Sequence, residues 1–588
     1  MKAEIEARLE HFCRDLQSAG ELPADWQASL RLSVPKQRDH GDFATNLALM
    51  LAKPLKQPPR AIAERLQAYF ADYAGIERIE IAGPGFVNFF IRADAAFALI
   101  DEIRNAGAQF GQSTVGQSQR VLLEYVSANP TGPLHVGHGR GAAYGSVLAN
   151  LLVHAGFKVE SEYYVNDAGR QMHILAASVW VRYLERVMDE PPAFPSAGYR
   201  SEDYIMTIAR QLAEHHGSAM AVERAEIEQG LPKDAPEGDA DAYVDALIAR
   251  MQDCLGQTAY QQVFQAALNY ILDDIRDDLT GFGVRFDHWY SEQSLADSDK
   301  VNAAIDRLQS ANYLYEQDGA LWFKATEFGD DKDRVVRREN GQTTYFASDI
   351  AYHLDKYERG YDLMIDLWGA DHHGYVARVK AAMQALGKNT DQLSVSLVQF
   401  AILYRGSERL SMSTRSGSFV TLRQLREEVG SDAARFFYVM RAATQHLDFD
   451  LELATRQSNE NPLYYIQYAH ARVHSVFRQL PLRGFAHDPE LGRTAYDRLL
   501  EPHEQALFKR LSGFPALIER AALAREPHQL VHYLRDLAQD FHSYYNAHAF
   551  LLQDDPALRN ARLNLIDATR QVLANGLHVL GVTAPDEM

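Results

Sequence analysis

At 588 residues the chain is too long for one hydrophobic core, and about 150 residues per domain implies three or four folding units. With 46% hydrophobic and 23% charged residues it has the composition of an ordinary globular protein, which excludes long disordered or fibrous stretches. A formal charge of −20 argues, taken alone, against a nucleic-acid binder, because phosphate contacts need clustered Lys and Arg.

MKAEIEARLEHF alternates charged and apolar residues, as an amphipathic helix does and a signal-peptide core does not. No apolar run approaches the ~20 residues of a membrane span, so a cytoplasmic protein without membrane contact is expected. PPRAIAERLQAYF is helix-like after Pro58 and Pro59, and IERIEIAGPGFVNFFI alternates like a strand near its start. Residues 1–110 therefore read as a small α+β unit, and AGAQFGQSTVGQSQ after it as a linker. VLLEYV has the short apolar form of a buried strand, GRGAAYGSVLANLLVHAGF has helical spacing with a stop at Gly156, and KVESEYYV is a second strand. Strand, helix and strand in this order make a βαβ unit, hence an α/β domain with a doubly wound parallel sheet of Rossmann type.

The acidic excess is local: residues 182–300 hold ten Lys/Arg against twenty-three Asp/Glu, while 1–110 and 456–588 are nearly balanced. RNA contact at the two ends thus stays open. The acidic stretch reads as helical insertions, about 166–340, with the polar segment EQGLPKDAPEGDADA at their middle. LMIDLWGA and LVQFAILYR suggest that the sheet resumes beyond Tyr361, which gives a central domain over 118–455. After about Asp450 the runs QALFKRLSGFPALIERAAL and HQLVHYLRDLAQDFHSYYNAHAFL predict an all-α bundle over 456–588. Cys13 and Cys254 lack CxxC spacing, so neither a disulfide framework nor a Cys-rich zinc site is expected.

The most informative segment is ANPTGPLHVGHGRGA, residues 128–142, where VLLEYV turns into a helix. Free backbone N–H groups and the helix dipole make that place an anion site. Gly137 leaves room for a nucleotide against the backbone, and His135 and His138 can donate hydrogen bonds to phosphate oxygens. His135-Val136-Gly137-His138 resembles the HIGH signature of class I aminoacyl-tRNA synthetases, and SANPTGPLHVGH resembles the arginyl branch's version. EYYVNDAGRQM, FGVRFDHWYSE, YFASDIAYHLDKY, WGADHHGYVARVKAA, DAARFFYVMR, HLDFDLELATRQSNENPLYYIQYAHARV and QVLANGLHVLGVTAP resemble bacterial arginyl segments in family order. HGDFATNLAL and IAGPGFVNFF resemble that enzyme's N-terminal additional domain.

The resemblance implies an arginine–tRNA ligase that adenylates arginine with ATP and Mg²⁺ and charges its cognate tRNA, as a monomer and without zinc. It implies ATP contacts from Pro130, Thr131, Gly132, His135, Gly137 and His138. A guanidinium is best bound by carboxylates with a hydroxyl or aromatic plane nearby. The resemblance places Glu124, Ser127, Tyr345 and Asp349 around arginine, Asn129 at its α-amino group, and Asp371 and His372 on the same wall. The second class I signature, the KMSKS loop, is degenerate: Ser411 and Thr414 stand where lysines are usual, while Met412, Ser413 and Arg415 still fit. Arg120, just before the signature strand, or Arg415 is then the cation expected to face pyrophosphate. Tyr465, Tyr468 and Arg472 are expected to stack on anticodon bases, and Phe86 and Asn88 to contact the tRNA D-loop. A small-molecule nucleotidyltransferase would need neither end domain, and an inactive RNA-binding relative would not keep Glu124, His135, His138 and Asp349 together.

Overall fold

The computed structural model describes residues 2–588 apart from 28–31, 34, 36–39, 74, 92, 201–202, 407 and 410–419. At its centre five parallel strands lie in the order Leu393–Val398, Leu363–Gly369, Arg120–Glu124, Lys158–Val165, His288–Ser291. Both faces of this sheet are covered, as parallel strands require. Val121, Leu123 and Tyr163 enter the core shared with the C-terminal helices, whereas Leu122, Tyr164 and Met364 enter a second core under the helix Tyr345–Glu358. The helix Val136–His154 makes the first crossover, and Gly145 lets it lie against the sheet: a Cβ there would stand 2.3 Å from the Tyr125 ring. From the first strand the chain winds one way to His288–Ser291 and then returns to the other side. The switch point therefore lies between Arg120–Glu124 and Leu363–Gly369, and ligands of such sheets bind at the strands' C-terminal ends there.

LVQFAILYR is two strands. Leu393–Val398 joins the main sheet, but Ala401–Arg405 pairs with Glu408–Arg409 and Leu447–Asp450 in a separate three-stranded sheet. The break is fixed by buried Arg140, which donates to the Gln399, Gln445 and Ala442 carbonyls at 2.7–2.9 Å. The insertion holds the helices Arg170–Val187, Tyr204–His216 and Ala240–Gly281, the last interrupted at Gly256 (φ 66°, ψ 170°).

The N-terminal unit pairs Phe43–Thr45, Phe86–Ile91 and Ile76–Ala82 antiparallel over a core of its own. The following helix, Ala93–Ala106, turns to the C-terminal bundle instead, with Phe97 edge-on to Phe508 at 4.9 Å and Arg104 paired to Asp567 at 3.0 Å. The segment expected to be a linker is bound there too, since the Asn575 amide donates to the carbonyls of Gly107 and Phe110. The bundle comprises Pro462–Leu482, Pro502–Ser512, Phe514–Ala524, His528–Ala547 and Pro556–Leu580, with shorter turns between them. Gly513 and Pro515 split QALFKRLSGFPALIERAAL into two helices. Among the described residues no helix is long and apolar enough to cross a membrane.

Buried Arg435 ties the units together, donating to the carbonyls of Phe282, Gly283 and Leu580 and to Ser146 Oγ. Replacing Arg435 by Leu strips donors from three carbonyls, each worth about 1–3 kcal/mol when left unsatisfied in the interior. We expect chemical denaturation to show a loss of about 3 kcal/mol or more; a midpoint equal to wild type would show that the joint does not depend on this residue.

Candidate active site

The turn after Arg120–Glu124 carries Val126 and Ser127 at φ 69° and 42°, a left-handed pair without glycine, and the β-branched residue is the costlier of the two. The turn aims Ser127 inward: its hydroxyl donates to Glu124 Oε1 at 3.0 Å and accepts from the Tyr164 N–H at 3.1 Å. The signature turn is then fastened at several points. Tyr204 of the insertion donates to the Thr131 carbonyl at 2.8 Å, Val136 N–H to the Val420 carbonyl at 3.2 Å, Leu422 N–H to the Leu134 carbonyl at 2.8 Å, and the Tyr438 hydroxyl to the Val136 carbonyl at 2.7 Å. Gly132 leaves the space that the Tyr204 hydroxyl takes, 2.9 Å from a would-be Cβ.

His135 caps the helix Val136–His154. Its Nδ1 accepts from Gly137 N–H at 3.0 Å, while His138 Nδ1 accepts from His135 N–H at 3.2 Å, and the two rings stack at 3.7 Å. A nitrogen that accepts a backbone N–H carries no proton, so the neutral tautomer of each ring has its proton on Nε2. Burial and the neighbouring ring push His138 down to about 3, and burial lowers His135, so both are neutral Nε2–H donors at pH 7. Gly137 is required for this fold-back, because a Cβ would come within 2.8 Å of the His135 ring.

Beneath the turn lies a row of carboxylates. Asp366, Glu124 and Glu162 are direct partners across three neighbouring strands, all buried on the face covered by the helix Tyr345–Glu358. That helix answers with one side chain per turn. Lys356 reaches Glu124 Oε2 at 2.5 Å and Asp366 Oδ1 at 2.7 Å, Arg359 binds Glu162 through two nitrogens, and the Tyr352 hydroxyl contacts Glu124 at 3.0 Å and Glu162 at 2.7 Å. His353 lies between the Asp349 carbonyl and Asp366 Oδ2, at 2.8 and 3.0 Å. Burial raises Glu124 against the pull of Lys356, while Lys356 and His353 hold Asp366 down at about 2 despite its burial.

On the solvent side of this row stands Asp349, half-buried and hydrogen-bonded by the Tyr375 hydroxyl; burial raises its pKa. Tyr345, one turn earlier, is 61% exposed at the mouth, and Asp371 and His372 sit exposed just beyond Leu363–Gly369. Asn129 donates to Gln171 Oε1 at 3.0 Å. Glu292, Tyr164, Tyr375, Tyr352 and Lys356 are site residues that the sequence reading missed. Glu292 alone had a usable signal, an acid directly after the parallel strand His288–Ser291.

Arg120 is not brought to the cleft. It begins the central strand, roughly 13 Å before Glu124 at 3.3 Å per residue, at the N-terminal end of the sheet away from the cleft. There it reaches Glu160 at 3.2 Å, lies 4.6 Å over the Tyr361 ring and contacts the carbonyls of Arg359 and Gly360. His288, Tyr361 and Arg120 together hold Glu160 down at about 2. Met412, Ser413 and Arg415 lie outside the described residues, but the chain leaves that segment at Val420, bonded to the signature turn. Phe86 is 43% exposed, whereas Asn88 is buried in the central strand and offers solvent no side chain. Tyr465, Tyr468 and Arg472 form a half-buried face completed by His542 and Tyr545 of the helix His528–Ala547, with Arg472 4.6 Å over Tyr468 and 4.4 Å over Tyr545.

Three family models match the chain: the arginyl tRNA synthetase N terminal domain over 2–91, the class I (R) catalytic domain over 100–204 and 237–443, and the DALR anticodon binding domain over 466–588. An arginine–tRNA ligase of Thioalkalivibrio sulfidiphilus is 59% identical, and one of Halorhodospira halophila 55%, each alignment covering 100% of both chains. The chain belongs to the arginyl-tRNA synthetase family. The Thermus thermophilus arginyl-tRNA synthetase, 23% identical, shares the fold with a TM-score of 0.72 over 100% of both chains. The family's reaction is the chain's own: arginine is activated with ATP to the adenylate and passed to its tRNA.

Arg120→Ala should therefore leave the aminoacylation rate near wild type and act on stability alone. Glu160 has a depressed pKa, so its contribution is present above the ordinary carboxylate range and disappears as pH falls toward about 2. Because the pair is partly exposed, a loss of at most about 1 kcal/mol at neutral pH is expected. Thermal melts at pH 7 beside single-turnover charging separate the two effects, and a tenfold slower charging rate with unchanged melting would return Arg120 to the chemistry.

Proposed function

We propose that the cleft above the carboxylate row carries out this reaction with the following division of labour. Arginine enters with its guanidinium toward Asp349 and Glu124 and its α-amino group toward Asn129, with Ser127 fixing Glu124 and Tyr345, Asp371 and His372 walling the mouth. ATP, taken up as its magnesium complex, lies along the signature turn from Pro130 to Gly132. His135 and His138 direct Nε2–H at the α-phosphate, where negative charge grows as the arginine carboxylate attacks and pyrophosphate leaves. Neutral donors suit this role, because they stabilise developing charge without binding the ground-state triphosphate as tightly as a cation would. Arg415 is the cation for the departing pyrophosphate, since its loop ends at the signature turn and Arg120 is turned away.

The observation that carries this reading is the pair of backbone N–H bonds accepted by the two Nδ1 atoms, which puts the proton of each neutral ring on Nε2 at a helix N-terminus. The cognate tRNA is held at Phe86 and at the aromatic face of Tyr465, Tyr468 and Arg472, in units 1–110 and 456–588 flanking the catalytic domain 118–455. The enzyme is proposed to work as a monomer in the cytoplasm, as the family resemblance implies.

Two substitutions test these roles. His138→Ala should cut adenylate formation on the order of 10²- to 10³-fold while far-ultraviolet circular dichroism stays unchanged; normal turnover in the folded variant would remove the histidines from catalysis. Asp349→Asn should raise the arginine KM by one to two orders of magnitude, the worth of a charge-assisted hydrogen bond of roughly 1.5–3 kcal/mol, with the ATP KM little changed. Equal rises for both substrates in charging assays with labelled arginine would mark Asp349 as structural.

A further inference from the structure

The helix Pro462–Leu482 has two polar faces on opposite sides. Tyr465, Tyr468 and Arg472 make the aromatic face described above. Across the helix from it, Gln467, His470, His474 and Arg478 are met in order by residues 583–587. Gln467 donates to the Thr583 carbonyl at 2.9 Å and His470 Nδ1–H to the Pro585 carbonyl at 2.8 Å. His474 Nε2 stands 3.1 Å from Asp586 Oδ1, and Arg478 donates to the Asp586 carbonyl at 3.0 Å.

Within this seam the ligand atoms of His470, His474 and Asp586 all lie within 4.8 Å of one another. His470 is 2% exposed and gives its Nδ1 proton to a carbonyl, so the neutral ring keeps a lone pair at Nε2, which makes no hydrogen bond among the described residues. His474 Nε2 is buried and has no hydrogen bond either: Asp586 is near enough, but it lies off the line that a ring N–H requires. A cation set between nitrogen and oxygen needs only their lone pairs and is free of that constraint. The two rings are 4.8 Å apart at i, i+4, the spacing at which histidines on one helix face share an ion. The Pro585 carbonyl completes the pattern, because metal-binding histidines almost always donate their other N–H to a carbonyl or carboxylate, which fixes ring and tautomer. Neighbouring cations leave the Asp586 carboxylate free, since Arg570 pairs with Asp567 at 3.0 Å and Arg478 with Glu587 at 3.4 Å.

We propose that His470, His474 and Asp586 form a structural site for one divalent transition-metal ion of the zinc class, which pins residues 583–587 to the helix Pro462–Leu482. Two imidazoles and one carboxylate suit zinc and its neighbours, whereas Mg²⁺ and Ca²⁺ take oxygen ligands. The Asp586 side chain is 70% exposed, so the ion enters from that side and water fills its fourth position. The site stands apart from the catalytic cleft, where the resemblance implies no zinc. An ion held by the folded bundle and not by the unfolded chain stabilises the fold by mass action.

The test uses the full-length enzyme, purified without a histidine tag, stripped with EDTA and titrated with Zn²⁺ or Co²⁺. Calorimetry should show one tight Zn²⁺ per chain, and Co²⁺ should give the visible absorption of a four-coordinate site. The melting temperature should rise with Zn²⁺ and return on chelation. His474→Ala and Asp586→Asn should each weaken this binding by at least about 10- to 100-fold, the loss that follows when even a supporting partner of a metal site is removed. Both should also lose the zinc-dependent rise in melting temperature. Asp586→Asn changes an exposed side chain without changing its shape, so its result holds even if His474→Ala fails to fold. Zn²⁺ bound no more tightly by the wild type than by Asp586→Asn, or bound without any rise in melting temperature, would overturn the proposal.

Discussion

The catalytic domain depends on one interaction, the buried row Asp366–Glu124–Glu162 and the helix that neutralises it. Three carboxylates in register on adjacent parallel strands would repel one another in a low-dielectric interior, and no sheet would close over them alone. The helix Tyr345–Glu358 with its following residue places Tyr352, His353, Lys356 and Arg359 on one face at helical spacing, so a single element supplies every counter-group. The same helix presents Tyr345 and Asp349 from its first turn to the cleft. Its seating on the row therefore sets the position of Asp349, and a change to Lys356 or Glu162 would be felt there.

The histidines follow a comparable economy. A helix N-terminus leaves backbone N–H groups unpaired, and the two imidazoles take up two of them through Nδ1. This capping puts the protons on Nε2, so in the proposed mechanism local helix chemistry and phosphate recognition are one arrangement. The surrounding bonds from Tyr204, Val420 and Tyr438 come from the insertion, the segment after the degenerate loop, and the helix Ser431–Val439. Parts of the chain distant in sequence thus hold one turn rigid, which is what a preorganised donor pair needs.

Much of this was legible in the sequence, for identifiable reasons. The βαβ unit and the bundle announce themselves through local periodicity, and the signature turn through its residue types at a strand–helix junction. What stayed hidden is non-local. Arg120 was assigned by proximity along the chain to the signature, yet a parallel strand carries its first residue to the end opposite its last. Asn88 is expected from the resemblance to meet the tRNA D-loop, but its place on a central strand buries it. Lys356 is an ordinary base in sequence; only the folded helix shows that it has two carboxylate partners, Glu124 and Asp366. The packing of Ala93–Ala106 on the bundle depends on Phe508 and Asp567, more than four hundred residues away.

The acidic insertion can be understood in the same terms. Its charge was an argument against RNA binding, but part of it is spent within the molecule. Asp274, Asp277 and Asp278 of Ala240–Gly281 grip Arg423 and Arg426 on the helix Leu422–Val429, and Asp241 and Asp245 grip Arg170 at the start of Arg170–Val187. Leu422–Val429 follows directly on Thr421, which is bridged to His135, and Thr421 closes a capping box with Gln424. The insertion's aspartates therefore anchor the element that clamps the signature turn from behind. Asp278, raised to about 6 by its burial, is the member of this group whose desolvation is least offset, and Arg426 at 3.3 Å is the cation that keeps it in place. The negative charge of the middle of the chain is thus no argument against the proposed tRNA contacts at both ends: part of it serves the catalytic domain's own architecture.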